Sequence, residues 1–315
     1  MIKVAVIEGG YSSEKVVSIK SAQTVFDNLD QSQFEPTRVL IDENEWTAYD
    51  EDGRYPIDKN DFSFIKNNHK VQFEYAFIVI HGTPGEDGKL QGYFDMICLP
   101  YNTSSAAITS LTFQKFHCNR YLSTFGIHVA EAVLIKKGDE INKQEILNKV
   151  GLPCFVKPSE AGSSFGVSKV KEKNQLLDAI NHAFRYSEEV IAETFISGKE
   201  LTNGVYRNEE GIQVLPITEI ISENEFFDFE AKYKGKSNEV TPAQISKDLE
   251  KDIKDLTYMI YDILGMKGIA RMDYIVNDKG KAYLIEINSV PGMSKESIVP
   301  QMAEFTSVDL SKILI

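Results

Sequence analysis

Apolar and polar positions follow two alternating periods along this chain, and the elements can be read from them. Ile2 to Ile7 is an apolar run broken only by Lys3, as in a strand covered on both faces. Gly9 and Gly10 end it. From there Val16, Val17, Ile19, Ala22, Val25 and Phe26 recur at helical spacing. Strand, glycine turn and helix open an α/β unit, in which ligands sit at the carboxyl ends of the strands. The turn lacks the Gly-x-Gly-x-x-Gly spacing, so no dinucleotide site is assigned. Ser12 or Ser13 is expected to cap the helix, with Glu14 in its first turn. Residues 43–72 are polar and mixed, which predicts a hairpin and loops around Trp46. Tyr75 to Ile80 predicts a second buried strand. It runs into His81-Gly82-Thr83-Pro84-Gly85-Glu86-Asp87-Gly88, a tight loop of the kind that carries function at strand ends.

Residues 104–126 read as helical, with Ile108, Leu111, Phe116 and Leu122 inward. Lys115 is then a solvated helix lysine or a phosphate ligand. Val133 to Ile135 is a strand, and Ile141 to Val150 a helix closed by Gly151. Cys154 to Pro158 predicts a strand that delivers Lys157. After it come Gly162, Ser163, Ser164 and Gly166, whose amides and hydroxyls suit a phosphate. No Gly-Lys-Ser/Thr is present, and a further strand follows at Ser168, so the segment is a flap over a nucleotide or a plain hairpin loop. Val190 to Thr202 reads as strand, turn, strand. Phe226 to Tyr233 is an aromatic cluster feeding a Lys/Gly loop, which is a lid or a surface loop. Residues 246–264 form an amphipathic helix, and 297–315 close the chain with helices.

The stretch from Gly268 to Ser294 concentrates the chemistry. Two apolar runs flank Asn277-Asp278-Lys279-Gly280, a turn sequence, and so predict a β-hairpin. Alternation puts Arg271 and Asp273 on one face, and Glu286 and Asn288 on one face of the second strand. A two-residue tip sets Arg271 opposite Glu286 with Asp273 diagonal to it. A three-residue tip with a bulge sends Glu286 to the other face. In the first register two carboxylates and an amide oxygen converge, a hard-oxygen set suited to Mg²⁺ on phosphates. The alternative is a set of scattered polar residues on a solvated face.

Composition narrows the classes. With 315 residues the chain is long enough for two or three domains. Hydrophobic residues make up 42% and charged ones 26%, ordinary for a globular protein. A net charge of −13 with no basic run argues against nucleic acid or an anionic membrane as partner. No apolar run approaches a membrane span, and the amino-terminal strand is not a signal peptide. Cys98, Cys118 and Cys154 lack metal spacing and fit reduced, buried thiols of a cytosolic protein.

Six segments, in this order, resemble the D-alanine–D-alanine ligases of the ATP-grasp superfamily. They are Gly9-Gly10…Ser13-Glu14…Val17-Ser18, His81-Gly82…Gly85-Glu86-Asp87-Gly88…Gln91-Gly92, Val156-Lys157-Pro158…Gly162-Ser163-Ser164…Gly166, Glu193…Glu200, Glu230-Ala231-Lys232-Tyr233, and Arg271-Met-Asp273…Glu286-Ile-Asn288-Ser289…Pro291-Gly292-Met293. The resemblance spans nearly the whole chain. It implies an α/β (α+β) ATP-grasp architecture in three domains: 1–103, Rossmann-like with a parallel sheet; 104–191, central; and 192–315, carboxy-terminal and catalytic. The implied activity joins two D-alanines through a D-alanyl phosphate, giving ADP and phosphate, for peptidoglycan precursors.

The resemblance also implies roles. Asp273, Glu286 and Asn288 hold two Mg²⁺ ions, for which Mn²⁺ can substitute, in the two-residue-tip register. Lys115, Lys157 and Lys232 bind phosphates under the flap of Ser163 and Ser164. Glu193 and the segment Thr194-Phe195-Ile196 form the adenine hinge, and Glu200 meets the ribose. Glu14 holds the ammonium of the first D-alanine, with His81 nearby. Arg271 stabilises the oxyanion. Gly292, Ser297 and Ile298 receive the second D-alanine, and Ser163 and Tyr233 tie flap and lid to Glu14. The implied partners are ATP and D-alanine, the implied state a homodimer in the cytoplasm. Lys15, Val16, Gln114, Ala161 and Glu296 depart from the family's usual residues without removing a metal or phosphate ligand. The competing readings are a D-alanine–D-lactate ligase, disfavoured by Tyr233 where histidine is usual, and a nucleotide-binding regulator without turnover, disfavoured by Arg271.

Overall fold

Strand β1 (Ile2–Gly9) is buried from Val4 onward and runs parallel to β2 (Phe34–Ile41) on one side. The structure, a computed structural model, describes residues 1–160, 162, 165–222, 237–306, 308 and 310–314. Strands β3 (Trp46–Asp50) and β4 (Gly53–Pro56) continue the sheet antiparallel, and β5 (Ser63–Lys66) and β6 (His69–Gln72) form a separate hairpin. Strand β7 (Tyr75–Ile78) flanks β1 on its other side, parallel, so the order is β4-β3-β2-β1-β7. The expected parallel sheet is thus parallel only across β2, β1 and β7. Helix α1 (Lys15–Asn28) packs on β1 through Ala22 and Val25, and α2 (Lys89–Met96) follows the His81 loop. Neither Ser12 nor Ser13 caps α1. Glu14 occupies the cap position, while the Ser12 hydroxyl accepts from Glu14 N at 3.2 Å and donates to His81 O at 2.8 Å. Ser12 therefore ties two loops together instead of starting a helix. Of the thiols expected to be buried, Cys98 is exposed; Cys118 and Cys154 are buried.

The helical run after residue 104 breaks at Gln114 (ψ 84°), giving α3 (Ala106–Phe113) and α4 (Lys115–Ser123). The break makes Lys115 the first residue of α4, and its N–H donates to Ser159 O at 3.1 Å. The central sheet contains β8 (Ala132–Lys136), β9 (Cys154–Pro158), β10 (Ser168–Val170) and β11 (Glu189–Thr194), ordered β10-β9-β11-β8 with every pair antiparallel. It is covered by α5 (Lys143–Val150), capped by Asn142, and α6 (Leu176–Ala183). The expected domain cut between 191 and 192 falls inside β11.

The third sheet has β12 (Lys199–Asn208), β13 (Gly211–Ser222), β14 (Ser237–Val240), β15 (Ala270–Val276) and β16 (Ala282–Asn288), in the order β14-β13-β12-β15-β16. Helix α7 (Lys247–Ile263) starts at Ser246, whose hydroxyl accepts from Leu249 N, and buries Ile253, Ile260 and Tyr261 against one face. Helices α8 (Ile298–Phe305) and α9 (Ser311–Leu314) close the chain against the first domain. Ser104 fastens the domains together: its hydroxyl accepts from Lys267 N and donates to Lys267 O, both at 3.1 Å.

The β15–β16 hairpin corrects the expected register. Val276 faces Ala282, and Asn277 N donates to Lys281 O, so the tip holds three residues, not two. Alone, that would turn Glu286 away. A second extra residue, Ile285, bulges out between the pairs Tyr274–Leu284 and Asp273–Glu286. Two one-residue shifts restore the face. Asp273 lies directly opposite Glu286, and Arg271 opposite Asn288. Burial records the bulge: Leu284 and Ile287, three apart, both enter the core.

Candidate active site

The carboxyl-bearing face of β15 and β16 looks toward β9 and β11 across a cavity of about 140 Å³ lined by Lys115, Lys157, Glu193, Glu200, Asp273 and Glu286. Charges here are paired. Lys157 Nζ meets Glu193 at 2.6 Å, and Lys115 Nζ meets Glu286 at 3.2 Å. Arg271 grips Asp273 with two bonds, Nε to Oδ1 at 2.9 Å and Nη2 to Oδ2 at 2.8 Å. Burial works against the Arg271 charge; Asp273 more than offsets it and holds the guanidinium pKa above its ordinary value. The Thr202 hydroxyl donates to Asp273 Oδ1 at 2.5 Å, and Asn288 Nδ2 to Oδ2 at 3.1 Å. The amide nitrogen of Asn288 is thereby committed, which leaves its oxygen as the group for a cation. Among the described residues no three His, Cys, Asp or Glu side chains gather as a metal site. The oxygen set of Asp273, Glu286 and Asn288 fits Mg²⁺ that takes its remaining ligands from phosphate and water.

A second cavity, about 650 Å³, adjoins the first and shares Arg271 and Glu286 with it. Glu14, His81, Gly292, Ser297 and Ile298 all line it. His81 Nδ1 lies 2.9 Å from Val290 O, so that nitrogen carries the hydrogen. Burial pushes the imidazole pKa down, and Nε2 has no hydrogen-bond partner among the described residues. His81 therefore offers a bare acceptor. Gly162 lies against the Glu14 carboxylate so closely that a Cβ there would collide with it. Gly292 likewise leaves room for the Ser297 hydroxyl, which bonds to Ser294 Oγ at 2.9 Å. Phe165 lines both cavities and stacks on Tyr186, ring centroids 5.9 Å apart.

Glu86 sits beneath Glu14, and its Oε2 accepts from Gly82 N at 2.6 Å. Burial raises its pKa to about 8, with the Glu14 charge adding to the effect. The native carboxyl stays protonated where the unfolded chain has lost its proton. Stability from this group is thus present below the ordinary carboxylate pKa and is lost as pH rises toward about 8. Glu86→Gln keeps an oxygen for Gly82. It is expected to gain about 1.4 kcal/mol over the wild type per pH unit between roughly 5 and 8. Urea denaturation at the two ends of that range measures this; an equal difference at both contradicts it.

The structure brings Glu14, His81, Lys115, Lys157, Glu193, Glu200, Arg271, Asp273, Glu286, Asn288, Gly292, Ser297 and Ile298 to the walls of the two cavities. Thr194, Phe195 and Ile196 are not part of that lining. Thr194 Oγ1 donates to Val150 O at 2.9 Å, and Phe195 packs on Phe155, which does line the smaller cavity. The expected roles of Ser163, Ser164, Lys232 and Tyr233, and of Ala161 and Glu230, fall outside the described residues. Sequence reasoning misses Thr202 and reads Glu239 only as the end of a solvent-excluding loop, residues 233–239, not as a residue of the substrate cavity. Period two from Glu200 places Thr202 on the site face; nothing local marks Glu239 as a cavity residue.

A central and a carboxy-terminal sheet close on paired lysines and carboxylates, the arrangement expected from the resemblance to the ATP-grasp superfamily. Family models match both halves: D-Ala D-Ala ligase amino terminus over residues 3–104, and carboxy terminus over 121–315. The D-alanine–D-alanine ligase of Phocaeicola vulgatus is 46% identical over 312 residues, covering 99% of this chain and 96% of that protein. That of Azobacteroides pseudotrichonymphae is 47% identical over 317 residues, 100% and 98% covered. Among solved structures, the VanG D-Ala:D-Ser ligase of Enterococcus faecalis superposes with TM-score 0.87 at 31% identity, covering 99% of this chain and 97% of that one. The ATP complex of the Bacillus anthracis D-alanine–D-alanine ligase gives 0.80 at 26%, covering 100% and 95%. The chain belongs to the D-alanine–D-alanine ligase family.

Proposed function

We propose that this protein joins two D-alanines at the expense of ATP, through a D-alanyl phosphate, to supply a peptidoglycan precursor. The observation that carries the reading is the direct pairing of Asp273 with Glu286, beside Arg271, at the junction of a cavity for small polar substrates and one for a nucleotide. A carboxylate is a poor electrophile, and transfer of the γ-phosphoryl makes it one. That transfer requires positioning and charge neutralisation. Lys115 and Lys157 supply cations for phosphates. Each is paired with a carboxylate, so nucleotide binding exchanges partners: the lysines turn to phosphate, and Glu286 is released. Asp273, Glu286 and Asn288 would hold Mg²⁺, two ions in this reading, which supplies further neutralisation of the triphosphate. Arg271 faces the carbonyl oxygen that gains charge when the amine attacks. Glu14 and the bare nitrogen of His81 receive the first ammonium; Gly292, Ser297 and Ile298 receive the second carboxylate. Ser163, Ser164, Lys232 and Tyr233 keep their flap and lid roles, with Glu193 to Ile196 as hinge and Glu200 at the ribose.

We divide the chain into domains at 1–103, 104–198 and 199–315, the last cut moved past β11. No described helix is long and apolar enough to cross a membrane, in keeping with a cytoplasmic enzyme. A homodimer is part of the same reading. Phosphate release from ATP with and without D-alanine tests the activity. Absence of D-alanine-dependent release sinks it, and absence of any release favours a nucleotide-binding regulator without turnover. D-serine or D-lactate accepted in preference to D-alanine as second substrate would move the protein to a sister specificity.

Gly162→Ala follows directly. Its Cβ displaces the Glu14 carboxylate, so the KM of the first D-alanine is expected to rise about tenfold, with ATP affinity little changed. A change confined to ATP would place Gly162 in the nucleotide flap alone.

A further inference from the structure

The reaction brings two ammonium groups into the larger cavity, and the reading above provides a carboxylate for one. Among the described residues five glutamates line that cavity: Glu14, Glu86, Glu239, Glu286 and Glu296. Glu14 takes the first substrate. Glu86 is buried under the Gly82 amide and keeps its proton at neutral pH, so it is no counter-ion. Glu286 is committed to Lys115 and, when loaded, to the nucleotide's cation. Glu296 is exposed at the rim. Glu239 remains. It lies on edge strand β14, opposite Ile220, on the face that looks into the site. Its charge is felt at Arg271, and Gln301 of α8 donates to its Oε2 at 3.3 Å. Gln301 lies one turn along the helix that Ser297 caps, which sets Glu239 beside Ser297 and Ile298, the residues read above as receiving the second substrate.

Resting on the ligase reading, we propose that Glu239 is the counter-ion of the second D-alanine's ammonium and takes the proton it must shed. One proton passes to the carboxylate, which frees the nitrogen lone pair. That pair forms the C–N bond, the C–O bond to phosphate breaks with its electrons on phosphate, and the second proton leaves with phosphate. An anion at this place also selects: a cationic amine gains from it, and the neutral hydroxyl of D-lactate does not. Gln301 is a positioning residue that holds the carboxylate in place.

Initial rates of phosphate release at saturating ATP, with the two D-alanine KM values resolved and D-lactate offered in competition, test this. For Glu239→Gln the second KM is expected to rise about tenfold or more, the first to stay within about twofold, and the ratio of D-alanyl-D-lactate to dipeptide to rise about tenfold. Gln301→Leu is expected to shift the second KM in the same direction by less; it keeps the test alive should the first variant fold poorly. An unchanged second KM and product ratio, or both KM values rising together, overturns the proposal. Wild-type turnover with an indifferent Glu239→Gln sinks this inference alone. A wild type without D-alanine-dependent release sinks the ligase reading instead.

Discussion

Glu286→Gln is expected to cut D-alanine-dependent phosphate release by about a thousandfold, with the fold intact. The side chain is partly exposed and outside the apolar core, so the packing of Leu284 and Ile287 survives. What is lost is one of two negative charges that face the triphosphate's cation. Several kcal/mol of transition-state stabilisation rest on that cation, and each 1.36 kcal/mol is tenfold in rate. The substitution also removes the Glu286 charge from beside Lys115, so nucleotide alone is expected to bind the variant more tightly than the wild type. Near-normal turnover at an unchanged Mg²⁺ requirement would refute the metal assignment. Unchanged nucleotide affinity would refute the exchange of partners.

Arg271→Ala comes second, with an expected loss in kcat of about a hundredfold to a thousandfold, the range seen when one oxyanion donor is removed. Its effect on KM is expected to be smaller, because the charge it meets develops in the transition state. Arg271→Lys is not expected to rescue. The guanidinium spans both oxygens of Asp273 with Nε and Nη2, and an ammonium cannot reproduce that fork. Removal also strips Asp273 of its cation and leaves it with Thr202 and Asn288, so a lower melting temperature is expected without metal and a recovery on adding it. A kcat within tenfold of the wild type would take Arg271 out of the chemistry.

Much of this site was legible because its residues sit on strands of period two. Arg271 and Asp273, then Glu286 and Asn288, declare their faces by alternation, and Lys157 arrives at the end of an apolar run. The register that joins them was not legible. Tip length and the Ile285 bulge depend on core packing of Leu284 and Ile287, and the error in one cancelled the other. The break at Gln114 was hidden too, since apolar spacing runs on through it while a contact to Ser159, over forty residues away, fixes it. The ion pairs Lys115–Glu286 and Lys157–Glu193 join distant segments, and no local pattern announces such pairs. Composition pointed to buried thiols, but Cys98 lies at the surface in a left-handed turn (φ 56°).

Anomalous diffraction from crystals grown with Mn²⁺ and a non-hydrolysable ATP analogue tests the central arrangement most directly. Two manganese peaks are predicted, both between the phosphates and the Asp273, Glu286 and Asn288 side chains, with metal–oxygen distances of about 2.1–2.2 Å. Peaks elsewhere, or density showing Glu286 turned to the far side of β16, would contradict the account.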